Sequence, residues 1–223
     1  MSPYTAAEKT QKALIDAAGE LFALHGYDRV TTRAIAELSG ENQGGIHYHF
    51  GGKEGLLDAA VESAIQCSWT IEELERLVRV ELPSGDSPEH YASIVVRMMD
   101  LMIESIFSTD RPWWGMTLLF RVLTDAGDIG RKFVDSLMRP HLELTAEIAR
   151  AIQPEMTEEE SQLWAVACTA QVKHFAMMRQ AMLHFLNTDE YTDQQVAAIR
   201  KTILKNTLGG LELPLPVELR VGQ

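Results

Sequence analysis

Few side chains in this 223-residue chain stand at spacings that reaction chemistry could use. Cys67 and Cys168 lie 101 residues apart, which gives neither a redox pair nor a zinc ligand set. Each reads instead as a small buried apolar side chain. His47 and His49 form an H-x-H pair, but residues two apart on a helix do not face each other, so a shared metal has little support. His141 and His174 stand without identifiable partners. The sequence holds no G-x-S-x-G, no Gly-rich nucleotide loop and no H-E-x-x-H. The expectation is therefore a protein that is not an enzyme and carries no cofactor or metal. What remains is recognition chemistry. Residues 31–50, TTRAIAELSGENQGGIHYHF, have the spacing of a helix-turn-helix, with the turn at Gly40. Ile35, Leu38, Ile46 and Phe50 are expected to point inward, leaving the outer side of the second helix free to enter a major groove. By spacing alone, a purely structural helical corner is the alternative.

The elements around this corner read as helices. Residues 7–25 place Leu14, Ala17, Ala18, Leu21, Phe22 and His25 on one face, with Thr5 and Glu8 as a capping box and Gly26 as the stop. Thr31 caps the 31–38 helix and Asn42 the 43–50 helix. From about Lys53 a further helix carries Leu56, Leu57, Ala60, Val61, Ala64 and Ile65. Longer helices are expected at 89–108, behind Ser87 and Pro88, and at 158–186, behind a Thr157/Glu160 box. Shorter ones cover 113–124 and about 193–208, the latter behind Thr192 and Gln195. A segment at 131–152 is interrupted or restarted near Pro140, and Gly127 and Gly130 mark the boundary before it. Strand signals are nearly absent, so the fold class is all-α. The expected division is 1–52, 53–210 and an extended or loose tail at 211–223. A unit of only 52 residues is marginal alone, so the helix after Gly52 is expected to fix it to the rest.

Composition narrows the partners. At 46% hydrophobic residues the chain is not a disordered one, and no apolar run is long enough for a membrane span. Neither a basic leader nor an apolar signal core opens the sequence, so a cytoplasmic location with no membrane partner is expected. The net charge is −12, and residues 1–60 hold five Lys and Arg against eight Asp and Glu. Such a field gives no long-range attraction to DNA, which argues against strong non-specific binding.

Residues 21–61, LFALHGYDRVTTRAIAELSGENQGGIHYHFGGKEGLLDAAV, resemble the DNA-binding domain of TetR-family transcriptional regulators. HGY, TTRAIAE, the Gly40 turn, YHF and KEGLL all fall at the family's spacing. Less specifically, residues 118–149 and 167–186 resemble the ligand-binding domain of the CecR-like branch. The resemblance implies an N-terminal three-helix DNA-binding domain followed by a C-terminal helical ligand-binding and dimerisation bundle. It further implies a homodimer on a palindromic double-stranded DNA operator, most simply a repressor released by a small-molecule effector. An activator of the same fold, or a helical dimeric binding module without operator binding, are the alternatives.

Carried over residue by residue, the resemblance places Thr31, Thr32 and Arg33 at a helix start that holds a phosphate. It turns Gln43, Gly44, Gly45 and His47 toward the groove, where Gln43 could pair with adenine or donate to guanine or phosphate. The two glycines allow close approach at a cost of about 1 kcal/mol each in helix propensity, leaving a helix expected to be soft until DNA orders it. Tyr48, His49 and Lys53 fit backbone contacts, although the Tyr48 ring also suits a core position and Lys53 could simply be solvated. Two residues depart from the family. Glu41 sits where an apolar residue is usual and needs solvent, Arg33 or another donor. The GG before Lys53 loses a side-chain cap. For the effector, Met98, Met102, Trp113, Trp114, Met116, Phe120, Phe175 and Met178 are the adaptable apolar candidates, beside Met99 and Met177, and all suit core packing as well. Arg121, Gln171, His174 and Asp125 are the polar candidates. Arg97 and Asp100 suit surface ion pairs equally well. An apolar or amphipathic, drug-like effector is implied. Trp164, Cys168, Val172, Met182, Phe185, Val196, Ile199 and Ile203 are the dimer candidates, together with Leu204, and some of them must face the monomer core.

Overall fold

A threonine, serine or asparagine whose side chain accepts a backbone amide opens most of the long helices. The computed structural model describes residues 5–67, 71–108, 111–124, 130–131 and 134–220; the side chains of Cys67 and Thr124, and the expectations for Asp125 and Gly127, lie outside what it describes. The chain folds into two compact units, one from residues 1–68 with 109–134 and one from 69–108 with 135–223.

In the first unit, α1 (Ala6–His25) starts at the full Thr5/Glu8 capping box and stops at Gly26, whose φ of 78° suits glycine. Helix α2 (Thr32–Ser39) is capped by Thr31 and closed by the left-handed Gly40. Helix α3 (Gln43–Phe50) follows Asn42, and α4 (Lys53–Cys67) follows Gly51 and Gly52. Helix α7 (Trp114–Thr124) packs against α1 and α4. Its Trp114 is 3% exposed and lies on Gly19, where an added Cβ would come within 2.5 Å of the indole carbons. The interior is Leu14, Phe22, Ile35, Ile46, Leu56, Leu118 and Leu119 with small alanines between them. Residues 1–52 therefore do not close a core alone: α4 and α7 supply the apolar surface that covers α1. Leu38, expected inside, is 50% exposed, because it lies at the end of a short helix beyond the contact that buries Ile35.

The second unit contains α5 (Ile71–Arg76), continued by a π-helical turn and a 3₁₀ turn to Ser84, and α6 (Pro88–Phe107). After a π-helical turn at Val134–Met138 come α8 (Arg139–Ile152), α9 (Glu158–Met177), α10 (Arg179–Phe185), α11 (Asp193–Gly210) and α12 (Val217–Arg220). Pro140 sits in the first turn of α8, where its missing amide costs nothing. The expected continuous helix 158–186 is broken at Met178, giving α9 and α10. The tail also differs from expectation. Leu211 and Leu219 are buried at 2% and 4%, so residues 211–220 fold back on the core rather than trailing free.

Candidate nucleic-acid interface

The first residue of α2 and the start of α3 are fastened together by side chains. Thr31 accepts the Ala34 amide at 3.1 Å, which stops the helix fraying at the point where Thr32 and Arg33 emerge. Thr32 in turn accepts a hydrogen bond from Gln43 Nε2 at 2.8 Å across the turn. Asn42 accepts the Gly44 amide at 2.8 Å. Ile46 is fully buried and anchors α3, while Gln43, Gly44, His47 and Tyr48 are exposed around it. Gln43 with His47, and Gly44 with Tyr48, are four apart and form two neighbouring rows, so these exposed four make one outward strip beside Thr32.

Several expected contacts fall elsewhere on α3. A Cβ on Gly45 would meet Leu14 at 3.5 Å and Thr10 at 4.0 Å, so Gly45 faces α1 and not the outward strip. His49 is half-buried and its Nδ1 pairs with Gln11 Nε2 at 3.3 Å, which fixes it to α1. The Tyr48 ring is 85% exposed and stands nearly perpendicular to the His49 ring, centroids 4.8 Å apart, which removes the core reading of Tyr48. Lys53 lies 4.0 Å over the Tyr27 ring, a cation–π contact linking α4 to the loop after α1. Glu41 accepts from Thr10 Oγ1 at 3.2 Å, so a hydroxyl on α1 is the donor its carboxylate needs. Gly51 and Gly52 have φ of 73° and 138°, backbone that side chains rarely tolerate. The glycine pair thus serves the α3–α4 turn, a signal that the doubled glycine after YHF carried. The Tyr27, Thr10 and Gln11 contacts carried none, because they join residues 26 to 38 positions apart.

Residues 14–60 match the family described as "Bacterial regulatory proteins, tetR family". Over these residues the chain belongs to the TetR family. Residues 89–211 match "HTH-type transcriptional dual regulator CecR, C-terminal domain". Among curated relatives, the repressor AcnR of Corynebacterium efficiens is 34% identical over 90 residues, 40% of this chain and 47% of that protein. The chain thus spans about half the length of the AcnR relatives it matches. The regulator UidR of Escherichia coli is 23% identical over 150 residues, 67% of each chain. Among solved structures, a TetR-like regulator from Rhodococcus sp. superposes with a TM-score of 0.62 at 17% identity, covering 95% of this chain and 99% of that one. The SmeT–triclosan complex gives 0.58 at 22% identity, covering 93% and 99%.

In this chain the effector candidates are divided between the two units. Trp113, Trp114, Met116, Phe120 and Arg121 belong to the first unit, and Met98, Met102, Gln171, His174, Phe175 and Met178 to the second. Arg121 donates to the carbonyl oxygens of Ala23 at 3.0 Å and Leu24 at 3.4 Å, which makes it a cap on the end of α1. Met98 and Met102 are fully buried core residues. Phe175 is held in a cluster with Phe107 and Tyr191, whose hydroxyl donates to the Phe175 carbonyl at 3.2 Å. Gln171 bridges to Thr207 and Asn206 on α11, while His174 and Met178 are exposed. Asp100 forms a two-point pair with Arg200 at 2.6 and 2.7 Å, and Arg97 approaches Glu81 at 3.8 Å.

The dimer candidates divide in the same way. Cys168, Val172, Ile203 and Leu204 are interior, and Trp164, Val196 and Ile199 pack against that interior. Met182 is half-buried, and Phe185 is 75% exposed. Leu163 and Val166, which the sequence did not single out, and Met177, expected among the effector candidates, are the exposed large apolar residues of α9. Two basic groups inside this unit were also missed as a pair. His141 is 1% exposed, and burial beside Lys173 keeps its imidazole well below its usual pKa. Burial lowers the Lys173 ammonium to about 8, and its hydrogen bond goes to Thr169 Oγ1 at 3.3 Å. Burial also pushes the Cys168 thiol up to about 12, which makes it inert as a nucleophile. Among the described residues no group of three His, Cys, Asp or Glu is placed to hold a metal ion, and no helix is long and apolar enough to cross a membrane.

Proposed function

We propose that this chain is a ligand-responsive transcriptional repressor that binds a palindromic operator as a homodimer. The observation that carries the reading is the exposed strip of Gln43, Gly44, His47 and Tyr48, beside half-buried Thr32, over a fully buried Ile46. Gln43 brings two donors and one acceptor to a base edge, and Tyr48 a hydroxyl suited to phosphate. Arg33 and Lys53 add charge at the two sides. DNA competes with Thr32 for the Gln43 amide, so the free protein holds that side chain ready rather than mobile. A copy of the chain is proposed to pack on Leu163, Val166, Met177 and Phe185, the apolar side chains that α9 and α10 leave outside. Cys168, Val172 and Ile203 support that surface from behind.

The match over residues 89–211 supports a CecR-like effector domain, and we place the effector in the second unit, among Met98, Met102 and Phe175 with Gln171 as a polar anchor. An apolar or amphipathic compound suits methionines that can re-pack around it. SmeT, of similar fold, is solved with triclosan, a small compound of that kind. Release requires only that the two α3 helices leave the 34–36 Å spacing of successive major grooves (roughly one DNA turn).

Selection of bound duplexes from a random library at about 0.1 M salt tests the reading. A palindromic consensus is expected, lost in Gln43→Ala and Tyr48→Ala while the dimer persists. A folded dimer that enriches no sequence, with or without added apolar compounds, overturns it.

A further inference from the structure

The first unit holds a second place where a small molecule fits, built on residues that the operator reading does not use. An open cleft of about 920 Å³ runs between α1, the end of α2, α4 and the segment entering α7. Its apolar walls are Ile15, Ala17, Leu38, Pro112 and the indoles of Trp113 and Trp114. Arg111 also lines it. Its Nη1 is closed off from solvent, yet it reaches no acceptor among the described residues. A guanidinium N–H in that state forfeits a charge-assisted hydrogen bond that water would have supplied.

The carboxylates along the same cleft do not meet this need. Glu8 is held by the Thr5 amide at 2.6 Å in the α1 capping box, which keeps its carboxyl below its usual pKa. Asp16 is paired with Lys12 at 2.5 Å. Glu20 is the remaining acid in the lining, and it makes no ion pair with Arg111. The Ser39 hydroxyl is turned away too, donating to the Ala36 carbonyl at 3.1 Å. The cleft therefore combines flat aromatic walls, an exposed leucine and a guanidinium whose Nη1 lacks an acceptor, with Glu20 to repel extra negative charge.

We propose that this cleft binds a small aromatic monocarboxylate, its ring against Trp113 and Leu38 and its carboxylate on Arg111. The two oxygens of a carboxylate match the guanidinium fork. Glu20 selects a monoanion over a phosphate dianion. Such a ligand touches α1, Leu38 and Ser39 of α2, and Ser63 of α4 together, so it ties the helix-turn-helix to its scaffold. The site is independent of the effector placed in the second unit.

The test is calorimetric titration of the full chain with 2-naphthoate and with its uncharged isostere, naphthalene-2-carboxamide. The acid is expected to bind one site per chain, at least about tenfold tighter than the amide. Arg111→Met should bring the acid down to the affinity of the amide and leave the amide unchanged, which also shows that the cleft is intact. Arg111→Gln should do the same. Lys173→Met, in the second unit, should alter neither ligand, and Glu20→Gln should tighten the acid. Equal affinity for acid and amide, no binding of the acid, a loss of both ligands in the Arg111 variants, or displacement by equimolar inorganic phosphate each overturns the proposal.

Discussion

The interiors of the two units are built to different rules. Among the described residues, the polar side chains that are buried (Ser105, His141, Thr145, Ser161, Thr169 and Thr207) all belong to the second unit. The first unit buries Leu14, Phe22, Ile35, Ile46, Leu56, Trp114 and Leu119, interleaved with alanines and with Gly19 against the Trp114 indole. The second buries Met98, Met99 and Met102, and lets Cys168 rest on the Met99 sulfur at 3.5 Å. One interior is shaped by branched and flat side chains that fit one way. The other sets three unbranched methionines that can re-pack among its leucines, isoleucines and valines, with hydroxyls and His141 buried beside them and Lys173 half-buried. A frame that must hold α2 and α3 in register needs the first kind. A ligand-responsive bundle gains from the second and gives up stability for it.

The largest expected effect breaks the comparison if it fails. Trp114→Ala empties a well-filled site between α1 and α7 and should cost about 3–5 kcal/mol in chemical denaturation. Met102→Ala in the second unit should fall at the low end of its range, about 2 kcal/mol, because Met98 and Met99 can move into the gap. Equal losses for the two variants would mean that the methionine cluster is as rigid as the indole site.

Lys173 sharpens the same contrast from the opposite side. Its folded-state pKa of about 8 lies below the ordinary 10.5, so between those values the unfolded chain takes up a proton that the folded chain does not. The side chain therefore destabilises the fold below pH 8, and this penalty disappears above about pH 10.5. Lys173→Met should raise stability at neutral pH by about 1–3 kcal/mol, with the gain shrinking as the pH is raised. A variant less stable than the parent at pH 7 would show that the ammonium is well satisfied where it sits.

How far the sequence could be read follows the same division. Helix starts were legible because a capping box is local: Thr5 with Glu8, Thr157 with Glu160 and Thr192 with Gln195 each act over three residues. Most inward positions of α1 and α4 were legible from their period, but His25, expected on the inward face, is exposed at the end of α1, and Leu21 and Ile65 are only half-buried. The outward strip on α3 was legible only in part. Gln43, His47 and Tyr48 emerge as expected, but Gly45 turns to α1 because Leu14 and Thr10 lie there, a fact of tertiary packing. In α9 the pattern failed for a different reason. Both faces carry apolar residues, Cys168 and Val172 inside with Leu163 and Val166 outside, so periodicity could not say which was which. The break at Met178 has no proline or glycine to announce it. Lys173 was missed because a lysine on a mostly apolar helix face reads as solvated.

A smaller effect is expected from His141. Burial and the neighbouring Lys173 hold its folded-state pKa well below 6.5. The unfolded chain then protonates first as the pH falls below about 6.5, and stability is lost from there downward. Between pH 7 and pH 5.5 this group should remove about 1 kcal/mol. Denaturation curves of the parent and of His141→Gln at the two pH values isolate the contribution, since the variant should lose less. A parent no more acid-sensitive than the variant would mean that the imidazole accepts its proton in the folded state.

The smallest effect decides the role of one residue. Arg121 was a candidate for holding an effector, but its side chain is exposed and donates to the carbonyl oxygens of Ala23 and Leu24 at the end of α1. Those carbonyls have no helical amide ahead of them, and a cation there also suits the helix dipole. Arg121→Met keeps the apolar stem and removes the donors, so it should cost about 0.5–1 kcal/mol. Because the anchor lies in the rigid first unit, the loss should appear as faster amide exchange over residues 22–25, with the affinity of any effector of the second unit unchanged. An unchanged exchange pattern together with weakened effector binding would return Arg121 to the ligand and leave the end of α1 to be held by Gly26 alone.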